Sequence, residues 1–276
     1  MRGSATSDDG TKITFLEYGA GPGLVVVPGN NRRAHHYEKL AILLGGSCRV
    51  TVIDRRGRGE SGPQGTEYSV DREAADVVTV MTSRDAKWLF GHSYGGLIAL
   101  HAALLRPPAA LAVFDPGVSI HGSFPAQWLP RFTKLVEEGR LNSAMTTFLH
   151  GSGLTPLGNA PKLVFRALAY LLLHGSDGAD TKAMMPTTPR ELGEVVRLDS
   201  DGSRYAAISC PTLLLGGSET PAYLKGVLPQ LAGIIPDAQE TIIDGLDHNA
   251  PDLNAPDTVA AHLAAFLGRH GNPPRP

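Results

Sequence analysis

Residues 88–96 read Trp-Leu-Phe-Gly-His-Ser-Tyr-Gly-Gly. The segment 88–90 has the branched and aromatic content of a short buried strand. From Tyr94 an apolar, helix-forming run continues to Leu105 and stops at Pro107-Pro108, where the missing N–H and the ring forbid another turn. Gly91-x-Ser93-x-Gly95 therefore falls on a strand-to-helix turn. In such a turn a serine is lifted above the end of the sheet, and glycines flank it because a Cβ there would strike neighbouring backbone. A bare G-x-S-x-G arises often by chance, so it is the placement that makes Ser93 a candidate nucleophile.

Working outward, the same alternation of strand and helix recurs. Segments 24–27, 50–53, 111–114, 212–215 and 240–243 read as buried strands, and 34–44, 71–81 and 258–267 as helices between or after them. Val259, Leu263, Phe266 and Leu267 share one face of the last helix. Alternation of this kind predicts an α/β fold with a mainly parallel, doubly wound sheet covered on both faces. Between Gly117 and Tyr205 the strand signal gives way to helical spacing, as in Trp128, Phe132, Leu135 and Val136, then Leu141, Met145, Phe148 and Leu149. Prolines at 125, 130, 156, 161, 186 and 189 are expected to divide this stretch into short helices. The expected organisation is a core of residues 1–116 and 206–276 with a helical cap, 117–205, inserted between two late strands. The tail 271–276 is expected to fray.

Composition bounds the partners. Apolar residues are 42% of the chain, charged residues 19%, and the net charge is -2, so no basic surface for nucleic acid or an anionic membrane is expected. The N-terminal ten residues hold one basic side chain and no apolar run follows, unlike a secretory signal. Apolar runs such as 168–173 fall far short of the roughly 20 residues that span a bilayer. Cys48 and Cys210 are too few for a disulfide framework or a zinc site, and a reducing cytoplasm suits them best. The expected partner is a small-molecule substrate, with no membrane and no nucleic acid; the oligomeric state is left open.

A serine nucleophile needs a base, and His248 follows the last predicted strand in Asp244-Gly245-Leu246-Asp247-His248-Asn249. Imidazole can take the serine proton near neutral pH and return it to a leaving group. A carboxylate should orient it. Glu219, after the penultimate strand in Leu215-Gly216-Gly217-Ser218-Glu219, is the expected acid, with Asp115, after the strand ending at Phe114, as the alternative. The oxyanion hole is expected from the backbone N–H of Tyr94 and, from the loop Pro28-Gly29-Asn30-Asn31, that of Asn30. His35 and His36 are adjacent and, on a helix, would point about 100 degrees apart, which fits a pocket wall and not a shared metal. No histidine pair has metal-ligand spacing. Gly19-Ala20-Gly21-Pro22-Gly23 precedes a strand, whereas a dinucleotide fingerprint must follow one, so no cofactor is expected.

With elbow, acid and histidine in the order Ser93, Glu219, His248, the chain resembles the α/β-hydrolase fold family over nearly its whole length. Asp54-Arg55-Arg56-Gly57-Arg58-Gly59-Glu60-Ser61 resembles the D-x-R-G-x-G-x-S segment of that family, and Leu246-Asp247-His248-Asn249-Ala250-Pro251-Asp252 resembles its histidine loop. The chain departs from the family in having Pro28-Gly29 where His-Gly is frequent, and Glu219 where aspartate is usual. The resemblance implies that Arg55, Arg56 and Arg58 are scaffold and that the cap lines a substrate pocket, with Trp128, Phe132, Met145 and Phe148 as candidates. It implies a cofactor-independent serine hydrolase acting on an ester, thioester or lactone of a mainly apolar small molecule, through an acyl-enzyme. A serine elbow speaks against haloalkane dehalogenase or epoxide hydrolase chemistry, while carbon-carbon hydrolysis and peracid formation stay open. The alternative is a noncatalytic binder or a biosynthetic cyclase that reuses the same pocket.

Overall fold

The strand that leads into Ser93 sits mid-sheet because nearly all its side chains are apolar or small. In the computed structural model, which describes residues 1–155, 157, 158 and 160–270, six of the seven residues of this strand, Ala86–His92, are buried. The strands are β1 (Arg2–Thr6), β2 (Lys12–Tyr18), β3 (Gly23–Val27), β4 (Arg49–Ile53), β5 (Ala86–His92), β6 (Ala110–Phe114), β7 (Thr212–Gly217) and β8 (Ala238–Ile243). They form one sheet in the order β1-β2-β4-β3-β5-β6-β7-β8. β3 to β8 run parallel, and β1 and β2 run antiparallel at one edge. Pro156 and the tail 271–276, expected to break a helix and to fray, lie outside the described residues.

Helices close both faces. They are α1 (Glu38–Leu44), α2 (Val70–Ser83), α3 (Tyr94–Leu105), α4 (Leu129–Glu137), α5 (Leu141–Ser152) and α6 (Lys162–His174). After these come α7 (Gly178–Met184), α8 (Thr188–Arg197), α9 (Ala222–Lys225), α10 (Val227–Ile234) and α11 (Pro256–Arg269). Alternation along β3 sorts the core: Val25 and Val27 pack with Val77 of α2, Leu97 of α3 and Leu231 of α10. Leu24 and Val26 point the other way, to Leu40 and Leu44 of α1 and Leu263 and Phe266 of α11. Each such fully buried side chain contributes about 1.5–3 kcal/mol, which is why β3 carries no polar face.

β1 and β2 were not among the expected strands. β1, the edge strand, buries only Ala5 of its five residues, and β2, paired on both sides, mixes Lys12, Thr14 and Glu17 with its apolar residues, so neither leaves an uninterrupted apolar run. The available signal was the Asp9-Gly10 turn between them, where Gly10 takes a left-handed φ of 82° and its N–H donates to the Ser7 carbonyl at 3.0 Å. The helix expected over 34–44 is two pieces, a 3₁₀ turn Ala34–Tyr37 and then α1.

The insertion between β6 and β7 consists of α4 to α8 and has an apolar cluster of its own, including Phe132, Leu135, Met145, Leu149, Phe165 and Leu173. Its exit is stitched down: Ile120 pairs with Ser200 in an isolated parallel bridge, and Val195 and Leu198 join the core cluster. Cys48 and Cys210 are free and buried. No described helix is long and apolar enough to cross a membrane.

Candidate active site

Ser93 stands at the junction of β5 and α3 with φ 56° and ψ −124°. A left-handed φ on a side-chain-bearing residue costs on the order of 1–3 kcal/mol, and it persists because its surroundings leave no other place. The Ser93 N–H donates to the Phe114 carbonyl at 3.0 Å, and the Ser93 carbonyl accepts from Gly117 N–H at 2.8 Å. A Cβ on Gly91 would lie 2.3 Å from the Gly95 carbonyl oxygen, and one on Gly95 would lie 2.1 Å from that of Val27. The flanking glycines are therefore required by contact between strand, helix and the neighbouring strand β3.

His248 lies on the loop after β8 and is 5% exposed. Its Nδ1–H donates to Asp115 Oδ2 at 3.1 Å, and its Nε2 accepts from the Ser93 hydroxyl at 3.0 Å. The carboxylate beside Nδ1 holds the proton there and leaves the Nε2 lone pair toward the serine. Asp115 is wholly buried, has φ 44°, and also accepts from the Thr220 hydroxyl at 2.6 Å.

The expected acid, Glu219, is not in this group. It is exposed, and only its backbone takes part, the Glu219 N–H donating to the Leu246 carbonyl at 2.9 Å. The loop after β7 does run beside the histidine loop, but it turns the Glu219 side chain to solvent. Asp115, the alternative, is the carboxylate at His248. Gly216 makes this possible, since a Cβ there would sit 2.9 Å from Asp115 Oδ1.

A second histidine braces the site. His92 Nε2–H donates to the His248 carbonyl at 2.8 Å, so its Nδ1 accepts, taking the Tyr37 hydroxyl proton at 2.6 Å. Tyr37 oxygen in turn accepts from Gly29 N–H at 3.2 Å. One chain of bonds thus ties the Gly29 loop, the elbow and the histidine loop. Burial, then the nearby His248, pushes the His92 pKa down to about 3, so it stays neutral and keeps this pattern. Nothing in the sequence marked His92 or Tyr37 beyond their places near a glycine turn.

The loop expected to complete an oxyanion hole lies against the serine: a Cβ on Gly29 would be 3.0 Å from Ser93 Cβ and 3.6 Å from its Oγ. Asn30 and Tyr94 both line the cavity in front of Ser93. Tyr94 opens α3, where an N–H has no partner within the helix. Its side chain turns away into the core, its hydroxyl 2.8 Å from that of Tyr68.

The cavity holds about 260 Å³ and is walled on the cap side by Trp128, Met145, Phe148, Leu168 and Leu192, and on the core side by Tyr223 and Leu224. Phe132 is absent from this wall. It is 1% exposed and packs inside the cap, with ring centroids 5.7 Å from Trp128 and 5.9 Å from Phe148. Arg32 is the one lysine or arginine among the described lining residues, and Asp252 pairs with it. Burial opposes the Asp252 charge, but Arg32 outweighs it and holds that carboxyl below its usual range.

The arginine motif after β4 is buried and internally neutralised. Arg56 bonds Asp76 at 2.7 Å through two nitrogens, and Arg55 and Arg58 reach Glu191 of α8 at 2.8 and 2.7 Å. Burial would raise the Glu191 pKa, yet Arg55 and Arg58 draw it down to about 2, so it is an anion. The Arg55 and Arg58 side chains are fully buried beside Glu191, which leaves them closed to a phosphate in solvent.

His35 and His36 depart from expectation. The segment is a 3₁₀ turn, their rings lie 4.0 Å apart, and with Asp177 they place ligand atoms within 4.8 Å of one another. His36 Nδ1 accepts the Arg33 N–H at 2.8 Å, so its other nitrogen carries the proton in the neutral ring. Arg32 and Arg33 add positive charge nearby, and burial, followed by His35 and Arg32, lowers the His36 pKa to about 4. These residues do not fit a cation without breaking that backbone bond, and neither histidine lines the cavity.

The sheet order, the elbow and the helical insertion define an α/β hydrolase fold. The pattern of the alpha/beta hydrolase family matches residues 24–262, and the chain belongs to that family. It is 35% identical over 126 residues to N-formylmaleamate deformylase of Pseudomonas putida, a match covering 43% of this chain and 47% of that enzyme. It is 27% identical over 272 residues, 94% of this chain, to a stretch making up 12% of a polyketide synthase of Burkholderia thailandensis. The chain thus spans about half, or less, of the length of these curated relatives. Among solved structures it is similar to an alpha/beta hydrolase from Sphaerobacter thermophilus, with TM-score 0.81 and 30% identity, over 96% of this chain and 100% of that one.

Proposed function

We propose that this chain is a cofactor-independent serine hydrolase that cleaves an ester, thioester or lactone of a mainly apolar small molecule. One observation carries the reading: Ser93 Oγ, His248 and Asp115 form a continuous hydrogen-bonded series with Oγ at 3.0 Å from Nε2. Ser93 attacks the carbonyl while His248 Nε2 takes its proton, and Asp115 stabilises the imidazolium. The N–H groups of Asn30 and Tyr94 receive the oxyanion. His248 then returns the proton to the leaving oxygen or sulfur, and water repeats the attack on the acyl-enzyme.

The cavity wall supports this substrate class. Aromatic and aliphatic cap side chains favour an apolar acyl or alcohol group, and the single lining cation, Arg32, is already paired with Asp252. For the same reason a small acidic amide of the kind named by the deformylase relative suits this cavity less well. Two free, buried thiols suit a reducing cytoplasm.

The test is labelling with a fluorophosphonate, followed by a panel of esters, thioesters and lactones with N-formylmaleamate included. Ser93 should gain the inhibitor's mass, apolar esters should turn over fastest, and Ser93→Ala should lower kcat by about 10³-fold or more with the fold intact. An unlabelled Ser93 would assign the pocket to a noncatalytic binder, and a preference for dianionic substrates would overturn the substrate class.

A further inference from the structure

We propose that the first turn of cap helix α8, through Thr188 and Glu191, positions the oxyanion loop, so that the seating of the cap and the stabilisation of the oxyanion are coupled. The inference rests on the serine-hydrolase reading above.

Two separate contacts reach consecutive loop residues from this one helix. Thr188, wholly buried, donates its hydroxyl to Asn31 Oδ1 at 3.0 Å. Glu191, also wholly buried, accepts from the Asn30 side-chain amide. Residues three apart lie on one face of a helix, so both contacts come from the same side of α8. Asn31 has φ 50°, a conformation that a side-chain-bearing residue keeps only when something holds it. From the core, the loop is held by the Gly29 N–H bond to Tyr37 at 3.2 Å. Among the described residues the Asn30 and Asn31 side chains find their partners on the cap.

Glu191 is itself immobilised, because Arg55 and Arg58 of the motif after β4 both pair with it. A buried carboxylate between two guanidiniums is a fixed reference point for whatever it accepts from. The same helix contributes Leu192 and Val195 to the cavity wall. A substrate pressing on that wall therefore presses on the element that sets Asn30, whose N–H faces the reacting carbonyl in the proposed mechanism. Thr188 and Glu191 are positioning residues; neither lines the cavity.

Thr188→Val removes one hydroxyl, keeps the shape and leaves the arginine pairs alone. Removing an oxyanion donor outright costs about 10²–10³ in kcat, so loosening one should cost about tenfold, with KM for 4-nitrophenyl butyrate almost unchanged. The affinity for butylboronic acid, which forms a tetrahedral adduct on the serine, should fall in parallel, and Thr188→Ser should restore both. Glu191→Gln should have the larger effect. Amide hydrogen exchange over residues 29–32 should quicken in Thr188→Val. If that variant only melts earlier, with kcat, boronate affinity and loop exchange unchanged, the coupling is wrong. Should Glu191→Gln fail to fold, Thr188→Val decides alone. An inactive, unlabelled wild-type protein would overturn the hydrolase reading instead, and the exchange measurement would still judge the loop.

Discussion

The turns after β6 and after β7 leave neighbouring parallel strands at almost the same height, yet only one delivers a carboxylate to His248. The register pairs Phe114 with Leu215, so Asp115 is level with Gly216, and Glu219 lies three residues further along. β6 ends at once, and its first turn residue drops Asp115 into a wholly buried position. β7 continues through Gly216 and Gly217, and its turn binds the histidine loop through the Glu219 backbone while the Glu219 side chain is exposed. A carboxylate can orient an imidazole only within hydrogen-bond range, and where each strand ends, more than proximity of the loops, sets which carboxylate meets His248. The β7 turn still serves the site, since Thr220 donates to Asp115 Oδ2 at 2.6 Å while Gly216 and Gly217 leave room for Asp115 and the Leu246 backbone.

The sharpest way to break this comparison is the pair of isosteric acid variants. Asp115→Asn removes the charge that orients and stabilises His248 and should lower kcat on the order of 10²–10⁴-fold, measured on one ester with circular dichroism confirming the fold. Were Asp115→Asn close to wild type, the acid would lie elsewhere. Next in size is Gly216→Ala, whose added methyl would meet Leu228 Cδ1 at 2.5 Å and Asp115 Oδ1 at 2.9 Å. Overpacking of this kind costs about 1–3 kcal/mol, so a lower Tm and a reduced kcat should appear together. Thr220→Val should reduce kcat by about tenfold, the low end of what one hydrogen bond to a charged group is worth, and Thr220→Ser should recover it. Smallest is Glu219→Gln, an exposed substitution expected to change kcat by less than about twofold; a large loss there would restore the β7 turn as the source of the acid.

The same contrast accounts for the wall of the cavity. Trp128, Met145 and Phe148 reach the cavity, whereas Phe132, equally apolar and on the same run of helical spacing, turns inward. Spacing identifies the buried face of a cap helix, but a helix between two apolar surfaces has two buried faces, and the side each residue takes depends on its neighbours. Phe148→Ala should therefore raise KM for long acyl esters by a few fold, about what one aromatic contact is worth, and leave short ones alone.

Much of this protein was written in local pattern. The six parallel strands, the helices between the first four of them and after the last, the helical stretch after β6, Ser93 on its turn and His248 after the last strand follow from short-range rules: apolar runs, proline stops, glycines where backbones touch; α9 and α10, between β7 and β8, were not among the expected helices. β1 and β2 escaped because the edge strand β1 buries too little, and β2 mixes polar residues among its apolar ones, so neither leaves an apolar run. The acid, the partners of Asn30 and Asn31, and the bonds from Tyr37 through His92 to His248 join residues far apart in the chain. Only the tertiary structure decided these, because which of two carboxylates meets an imidazole depends on differences of a few ångströms in where neighbouring strands end, and no local propensity encodes that distance.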